Sequence, residues 1–221
     1  QTTISGIQSV IFKRLSHVTL KHEMVVIPDF TLEFIGDYTN SVPGLNLERF
    51  DLESNSKFFS TSIKYQKIRQ RNENLALTFG VDARNTDTDI LRTAFIRDRI
   101  RAFRMNANYD TRDNWEGFNL VDATFSQGIG GIGANKKNDN NLSRAEANPE
   151  FKKMELSLTR LQKITDDWSL LVRGSGQVAS GPLYSAEEFG YGGQNLGRAF
   201  DASEITGDHG VASSFEFRYN A

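Results

Sequence analysis

Cysteine is absent from this 221-residue chain, proline occurs only 4 times, and no long apolar run is present. The first absence removes disulfide scaffolds, thiolate-bearing zinc sites and cysteine nucleophiles together. His17, His22 and His209 are the only imidazoles, and their spacing matches no ligand motif. An excess of one charge sign is also missing: 26 Lys+Arg face 28 Asp+Glu, a net charge of −2. No overall cationic field exists to drive binding to DNA or RNA, so no nucleic-acid partner is expected. The longest charge-free stretches, Ala123–Asn135 and Gly174–Ala186, have thirteen residues each and are rich in Gly, Ser and Asn. Neither can cross a bilayer as a helix, so a helical membrane protein is excluded. Gln1 is not followed by a charged and then an apolar segment, which is the expectation for a chain whose signal peptide has been removed or for an internal piece.

A mean hydropathy of −0.47 looks soluble. A transmembrane β-barrel also averages polar, because alternate residues face lipid and lumen. What the chain does contain is alternation. Leu75, Leu77, Phe79, Val81 and Ala83 interleave with Asn74, Thr78, Gly80, Asp82 and Arg84. The same period of two runs through Phe30–Tyr38, Phe103–Tyr109, Met154–Leu158, Trp168–Val178 and Val211–Tyr219, with weaker runs at Val18–Ile27, Leu45–Leu52 and Phe58–Ile68. Apolar residues two apart mark strands with one apolar face. Roughly ten strands result, each near the ~9–11 residues needed to cross a bilayer at a tilt.

The connections alternate in length. Gln70–Asn72, Thr111–Trp115 and Thr165–Asp167 read as short, and Asn85–Asp98, Gly131–Glu150 and Ser180–His209 as long. Outer-membrane barrels gather short turns at one end and long loops at the other. Tyr109, Trp115 and Trp168 flank two short turns and Tyr38 reads as lying by an earlier one, where an interfacial aromatic girdle belongs.

Several patterns carry less than they suggest. Gly128-Ile-Gly130-Gly131-Ile-Gly133 formally matches a dinucleotide fingerprint, but no amphipathic helix follows to hold a pyrophosphate, and no cofactor is expected. Arg97, Arg99, Arg101 and Arg104 with Phe95 and Phe103 resemble a nucleic-acid patch, but Asp87, Asp89, Asp98, Asp110 and Asp113 accompany them, so they read as a solvated loop and a polar lumen wall. Asp166-Asp167 and Glu187-Glu188 are carboxylate pairs; turn chemistry rather than acid–base catalysis is the default for both. No enzyme is expected. The residues alone leave a soluble β-sandwich open, for example a carbohydrate binder using Trp115 and Trp168.

Ser180–Gly210 differs in kind, being long, glycine-punctuated and aromatic. Such a loop is usually functional, and this one can fold back against a wall. Its ordered series is Gly176-Gln177, Ser180, Pro182-Leu183, Glu188-Phe189, Gly192-Gly193, Gly197-Arg198-Ala199-Phe200-Asp201, Ser203-Glu204-Ile205, Gly207-Asp208-His209-Gly210 and Glu216…Arg218-Tyr219. Here the chain resembles the TpsB family, the outer-membrane transporters of two-partner secretion, also called haemolysin secretion/activation proteins. Leu142-Ser143-Arg144 with Phe151 resembles the loop that precedes the next strand in that family, and the likeness extends from about Ser56 to the end.

The resemblance implies an all-β fold: an antiparallel transmembrane barrel of about sixteen strands, of which residues 1–221 are an incomplete part, with 180–209 as the fold-back loop. It implies periplasmic POTRA domains and the last strands outside this segment, and therefore a fragment that does not insert alone. The implied function is an outer-membrane pore that exports a large TpsA-type exoprotein through the lumen, without a cofactor. Gly193, Gly197, Arg198, Phe200, Asp201, Asp208 and Gly210 are the implied loop residues. Arg198 docks on the inner wall, Phe200 packs beside it, and Asp201 and Asp208 brace the loop ends. Ala199 stands where many relatives have Gly, and the carboxylate that receives the arginine is expected on a later strand, after Ala221. Arg84, Arg104, Asn106, Glu155, Arg173 and Glu216 are expected to face the lumen as a hydrophilic path. An outer-membrane assembly factor of the BamA type, or a passive channel, is the alternative within barrels.

Overall fold

The computed structural model describes residues 1–8, 15–194 and 196–219. Ten strands pair in sequence order into one antiparallel sheet. They are β1 (Thr2–Gln8), β2 (Leu15–Ile27), β3 (Phe30–Ser41), β4 (Glu53–Arg69), β5 (Glu73–Ile90), β6 (Thr93–Arg112), β7 (Gly117–Gly128), β8 (Lys152–Lys163), β9 (Trp168–Ala179) and β12 (Gly210–Tyr219). The remaining two, β10 (Phe189–Tyr191) and β11 (Ile205–Gly207), form a small hairpin of their own within the β9–β12 connection. The sheet is open, with β1 and β12 at its edges, and is part of a barrel wall rather than a closed barrel.

Strand register sorts the side chains onto two faces, because residues directly opposite one another across a ladder share a face. One row runs Leu32, Ile63, Phe79, Met105, Phe125, Met154, Val178. Most of these side chains are exposed and no second sheet covers them, which removes the β-sandwich reading. An uncovered apolar face of this extent belongs against hydrocarbon. The opposite face is polar: Asn106 donates to Asp122 (3.0 Å) and Thr124 (2.9 Å), and Asn74 to Asp110 (3.0 Å).

Three expectations from the sequence need correction. Leu45–Phe50 is a 3-10 helix and not a strand, and Thr2–Gln8 and Gly117–Gly128, which none of the named runs covers, complete the ten. Asn85–Asp98 is not a loop: β5 and β6 continue through it to a two-residue turn at Leu91-Arg92. Both turn residues adopt left-handed backbone (φ 49° and 61°), as in a tight hairpin turn, yet neither is the Gly or Asn that advertises one. Arg97, Arg99 and Arg101 accordingly sit on a strand, on the same face as Phe103. Tyr38 pairs with Lys57 near the long-connection end, away from the short Pro28-Asp29 turn. It therefore marks the opposite rim from Tyr109, Trp115 and Trp168.

The largest buried apolar cluster lies on the polar side of the sheet, under the two long connections. Ile100 and Ala102 on β6 meet Leu142, Ala147 and Phe151 of the β7–β8 loop and Leu183 and Tyr184 of the β9–β12 loop.

Candidate lumenal site

The β9–β12 connection, Ser180–His209, folds over the polar face in two parts. The first part, Ser180–Glu188, is its root. Leu183 and Tyr184 are fully buried, and a 3-10 turn at Ser185–Glu187 carries Glu187 inward to 4% exposure. There the carboxylate receives Arg104 from β6, Nη1 at 3.1 Å and Nη2 at 2.6 Å, and Lys153 Nζ from β8 at 3.0 Å. Arg104 also bonds Asp82 on β5, and Lys153 reaches Glu155 at 3.2 Å. Four chain segments thus share one charge network. Burial pushes the Glu187 carboxyl up, but Arg104 and Lys153 outweigh that and hold it below the usual carboxylate range. Gln177 Nε2 on β9 donates to the backbone carbonyls of Glu187 and Asp208, both at 3.1 Å, so the two ends of the loop are tied to one side chain.

Arg144, from the neighbouring long loop, makes a second tie. Its guanidinium bonds both oxygens of Asp208, reaches Glu188 at 3.2 Å, and donates to the Leu183 carbonyl at 3.1 Å. Asp208 also accepts from the Leu183 backbone N–H at 2.8 Å. A forked guanidinium fits a carboxylate in this two-pronged way, which a lysine cannot. Arg144 holds the Asp208 carboxyl below its ordinary range, with burial opposing.

The tip, 193–204, is largely exposed among its described residues. Arg198 Nη2 donates to Glu216 Oε1 on β12 at 2.7 Å while its own side chain remains 64% exposed. The same Glu216 oxygen accepts from Arg173 on β9 at 2.6 Å, and Arg218 reaches the other oxygen at 3.3 Å. Within residues 1–221 the carboxylate that meets Arg198 is thus Glu216 on β12, and the one expected after Ala221 lies outside these residues. Phe200 tilts against Tyr191 at 5.6 Å between ring centres. Asp201 makes only a local turn, its N–H donating to Glu204 at 2.9 Å. The Gly193 N–H donates to the Phe200 carbonyl at 3.1 Å. Gly197 has φ +84°, and a Cβ there would lie 2.7 Å from the Tyr191 ring, so the backbone conformation and the packing both require glycine. Gly210 lies directly beneath the Phe189 ring with no room for a side chain. Between tip and wall remains an open cleft of about 590 Å³, lined by Arg173, Gly193, Arg198 and Phe200.

Register puts Arg104, Asn106, Glu155, Arg173 and Glu216 on the polar face with Arg84, whose guanidinium stacks 5.0 Å over Phe58. Arg104 meets the loop root directly, and Glu155 reaches the same network through Lys153; Arg173 and Glu216 meet the tip, while Arg84 and Asn106 touch neither. Sequence reasoning missed Glu187 and Lys153. Glu187 was assigned to turn chemistry, and its environment overturns that: it is a buried acceptor for two cations. Lys153 carried no signal beyond its alternation with Met154. Among the described residues no cluster of His, Asp or Glu is arranged to hold a metal ion, and no helix is long and apolar enough to cross a membrane.

Comparison with solved structures finds the same fold in CdiB from Escherichia coli, with a TM-score of 0.80 and 16% identity over 98% of this chain. CdiB from Acinetobacter baumannii matches with a TM-score of 0.67 and 12% identity over 94% of the chain. The chain spans 41% and 37% of the length of those two proteins. No curated protein matches the sequence. The family model for the haemolysin secretion/activation protein ShlB/FhaC/HecB covers residues 30–221, beginning well before the point at which the motifs become legible. With that match over most of its length, an open antiparallel wall with an apolar outer face and a long loop folded over the inner one, the chain belongs to the ShlB/FhaC/HecB family of outer-membrane β-barrel transporters of two-partner secretion.

Proposed function

We propose that residues 1–221 form part of the translocator barrel of a pore that exports a large TpsA-type exoprotein, and that residues 180–209 control the channel from inside. POTRA domains elsewhere in the whole protein would deliver the substrate. The observation that carries this reading is the shared carboxylate at Glu216. Arg198 docks the tip there, but Arg173 and Arg218 already satisfy the same group. If the tip leaves, Glu216 is not orphaned on the wall, so displacement costs little beyond one exposed, salt-screened pair. A plug that must yield to a passing chain needs this property. The polar face, with its many replaceable hydrogen bonds, suits an extended polypeptide that slides rather than binds.

The test is Arg198→Ala in the complete transporter, read by partner secretion and by single-channel conductance. Altered gating with the barrel intact is expected. Unchanged secretion together with unchanged conductance would remove the control role of the loop while leaving the export role standing.

A further inference from the structure

On the membrane-facing side, the apolar band ends abruptly on several neighbouring strands. Beyond Phe59 on β4 the next outward residue is Lys57; beyond Phe103 on β6 it is Arg101; beyond Met154 on β8 it is Lys152. All three lie at the long-loop end, the outer surface by the barrel rule. Lys57 and Lys152 are exposed, and among the described residues neither makes an ion pair. Arg101 is held by neutral oxygens only: the Ile132 carbonyl at 3.1 Å, Asn85 Oδ1 at 2.9 Å and the Ile100 carbonyl at 2.8 Å. Farther from the membrane, Arg97 and Arg99 are already matched by Asp89 and Asp87. The first outward positions beyond the hydrocarbon on β4, β6 and β8 thus carry positive charge with no carboxylate partner among the described residues.

The opposite rim is different. There the first polar outward residues are Glu73, Thr111, Asn119 and Arg160, and Arg160 is bonded to Asp113. The cations at that end without an ion pair among the described residues, Lys67, Arg71 and Arg112, lie in the β4 bulge, in the β4–β5 turn and on the polar face, not in the first outward row.

We infer that Lys57, Arg101 and Lys152 form a docking row for the phosphate groups of glycolipid in the outer leaflet. Alternate strands carry them, each staggered by two residues in register from the next, so neighbouring cations sit about 12 Å apart on the sheet, given ~4.8 Å between strands and ~3.4 Å per residue. The row continues a surface that already contacts lipid, and its charge complements an anionic headgroup. Because the inference rests on the outer-membrane barrel placement and not on export, the two fail separately.

The complete transporter, purified in detergent, is titrated with diphosphoryl lipid A and with the same lipid stripped of phosphate. Wild type is expected to prefer the phosphorylated form by roughly tenfold or more, and K57Q/R101Q/K152Q to lose that preference, whereas K57R/R101K/K152R keeps it. Barrel integrity is followed by heat-modifiable migration. Because Arg101 also supports the β7–β8 loop, the single variants K57Q and K152Q carry the test independently, each with an expected loss of about fivefold. Equal affinity of wild type and the glutamine variants for the phosphorylated lipid, or equal binding of both lipids by wild type, overturns the inference.

Discussion

The root and the tip of the Ser180–His209 loop are built from similar chemistry, an arginine meeting a glutamate in each, yet they differ in almost every physical respect. At the root, Glu187 is buried and accepts from two cations that have no comparable substitute. At the tip, Arg198 is exposed and shares a glutamate that two other arginines also reach. Burial makes the first arrangement strong when complete and costly when broken. Solvent makes the second easily reversed. One loop therefore combines a fixed hinge and a releasable latch.

The largest effect that separates them is expected from Glu187→Ala. It removes the carboxylate that Arg104 and Lys153 share, leaving them only Asp82 and Glu155, and should cost about 3 kcal/mol of root docking. In the complete transporter, limited proteolysis should then cut within 180–209 where wild type resists. Retained resistance would abolish the distinction between root and tip.

Arg144→Ala should come next, at about 1.5 kcal/mol, because it removes a forked bond to Asp208 across two loops. Acid should act in the same direction. The Glu187 and Asp208 carboxyls are held below their ordinary range when the loop is docked. Docking is therefore favoured above the free carboxylate range near pH ~4 and fades as pH falls through the lowered values. Protease resistance measured from pH 7 downward checks the sign; loop release on raising the pH instead would contradict it.

Tyr184→Phe sharpens the comparison from the other side. The Tyr184 hydroxyl is buried with no hydrogen-bond partner among the described residues. Its removal should leave thermal stability equal or raise it by up to about 1 kcal/mol, since a buried unsatisfied group costs free energy. A clear loss would mean that the hydroxyl is bonded in solution. Smallest in stability is Arg198→Ala, expected to leave the melting temperature unchanged while exposing the tip to protease. High salt should produce the same tip exposure in wild type without affecting the root.

Much of the wall was legible from alternation alone, because a face that meets hydrocarbon along its whole length imposes a strict period of two. The run Leu75–Ala83 falls within β5 for that reason. The reading failed where the same strand leaves the membrane. Beyond Ala83 the outward residues turn polar, so Asn85–Asp98 looked like a loop although the hydrogen-bonded ladder continues. It failed again at Leu45–Phe50, where spaced apolar residues imitate a strand. At the loop, glycine and aromatic spacing exposed the tip, since those residues answer to local backbone demands. Glu187 was hidden because its importance is entirely a matter of what β6 and β8 bring to it.

The extended β5–β6 hairpin has a practical corollary. From Ala83 to Ile90 the strand runs seven residues past the last apolar outward position, roughly 23 Å of chain at ~3.3 Å per residue. Loop 129–141 lines its flank, with the Asn135 N–H donating to the Arg99 carbonyl and the Arg97 N–H to that of Asn141. Leu91-Arg92 therefore crowns a stiff mast above the cell surface, a place where an inserted epitope would be displayed to antibody on intact bacteria.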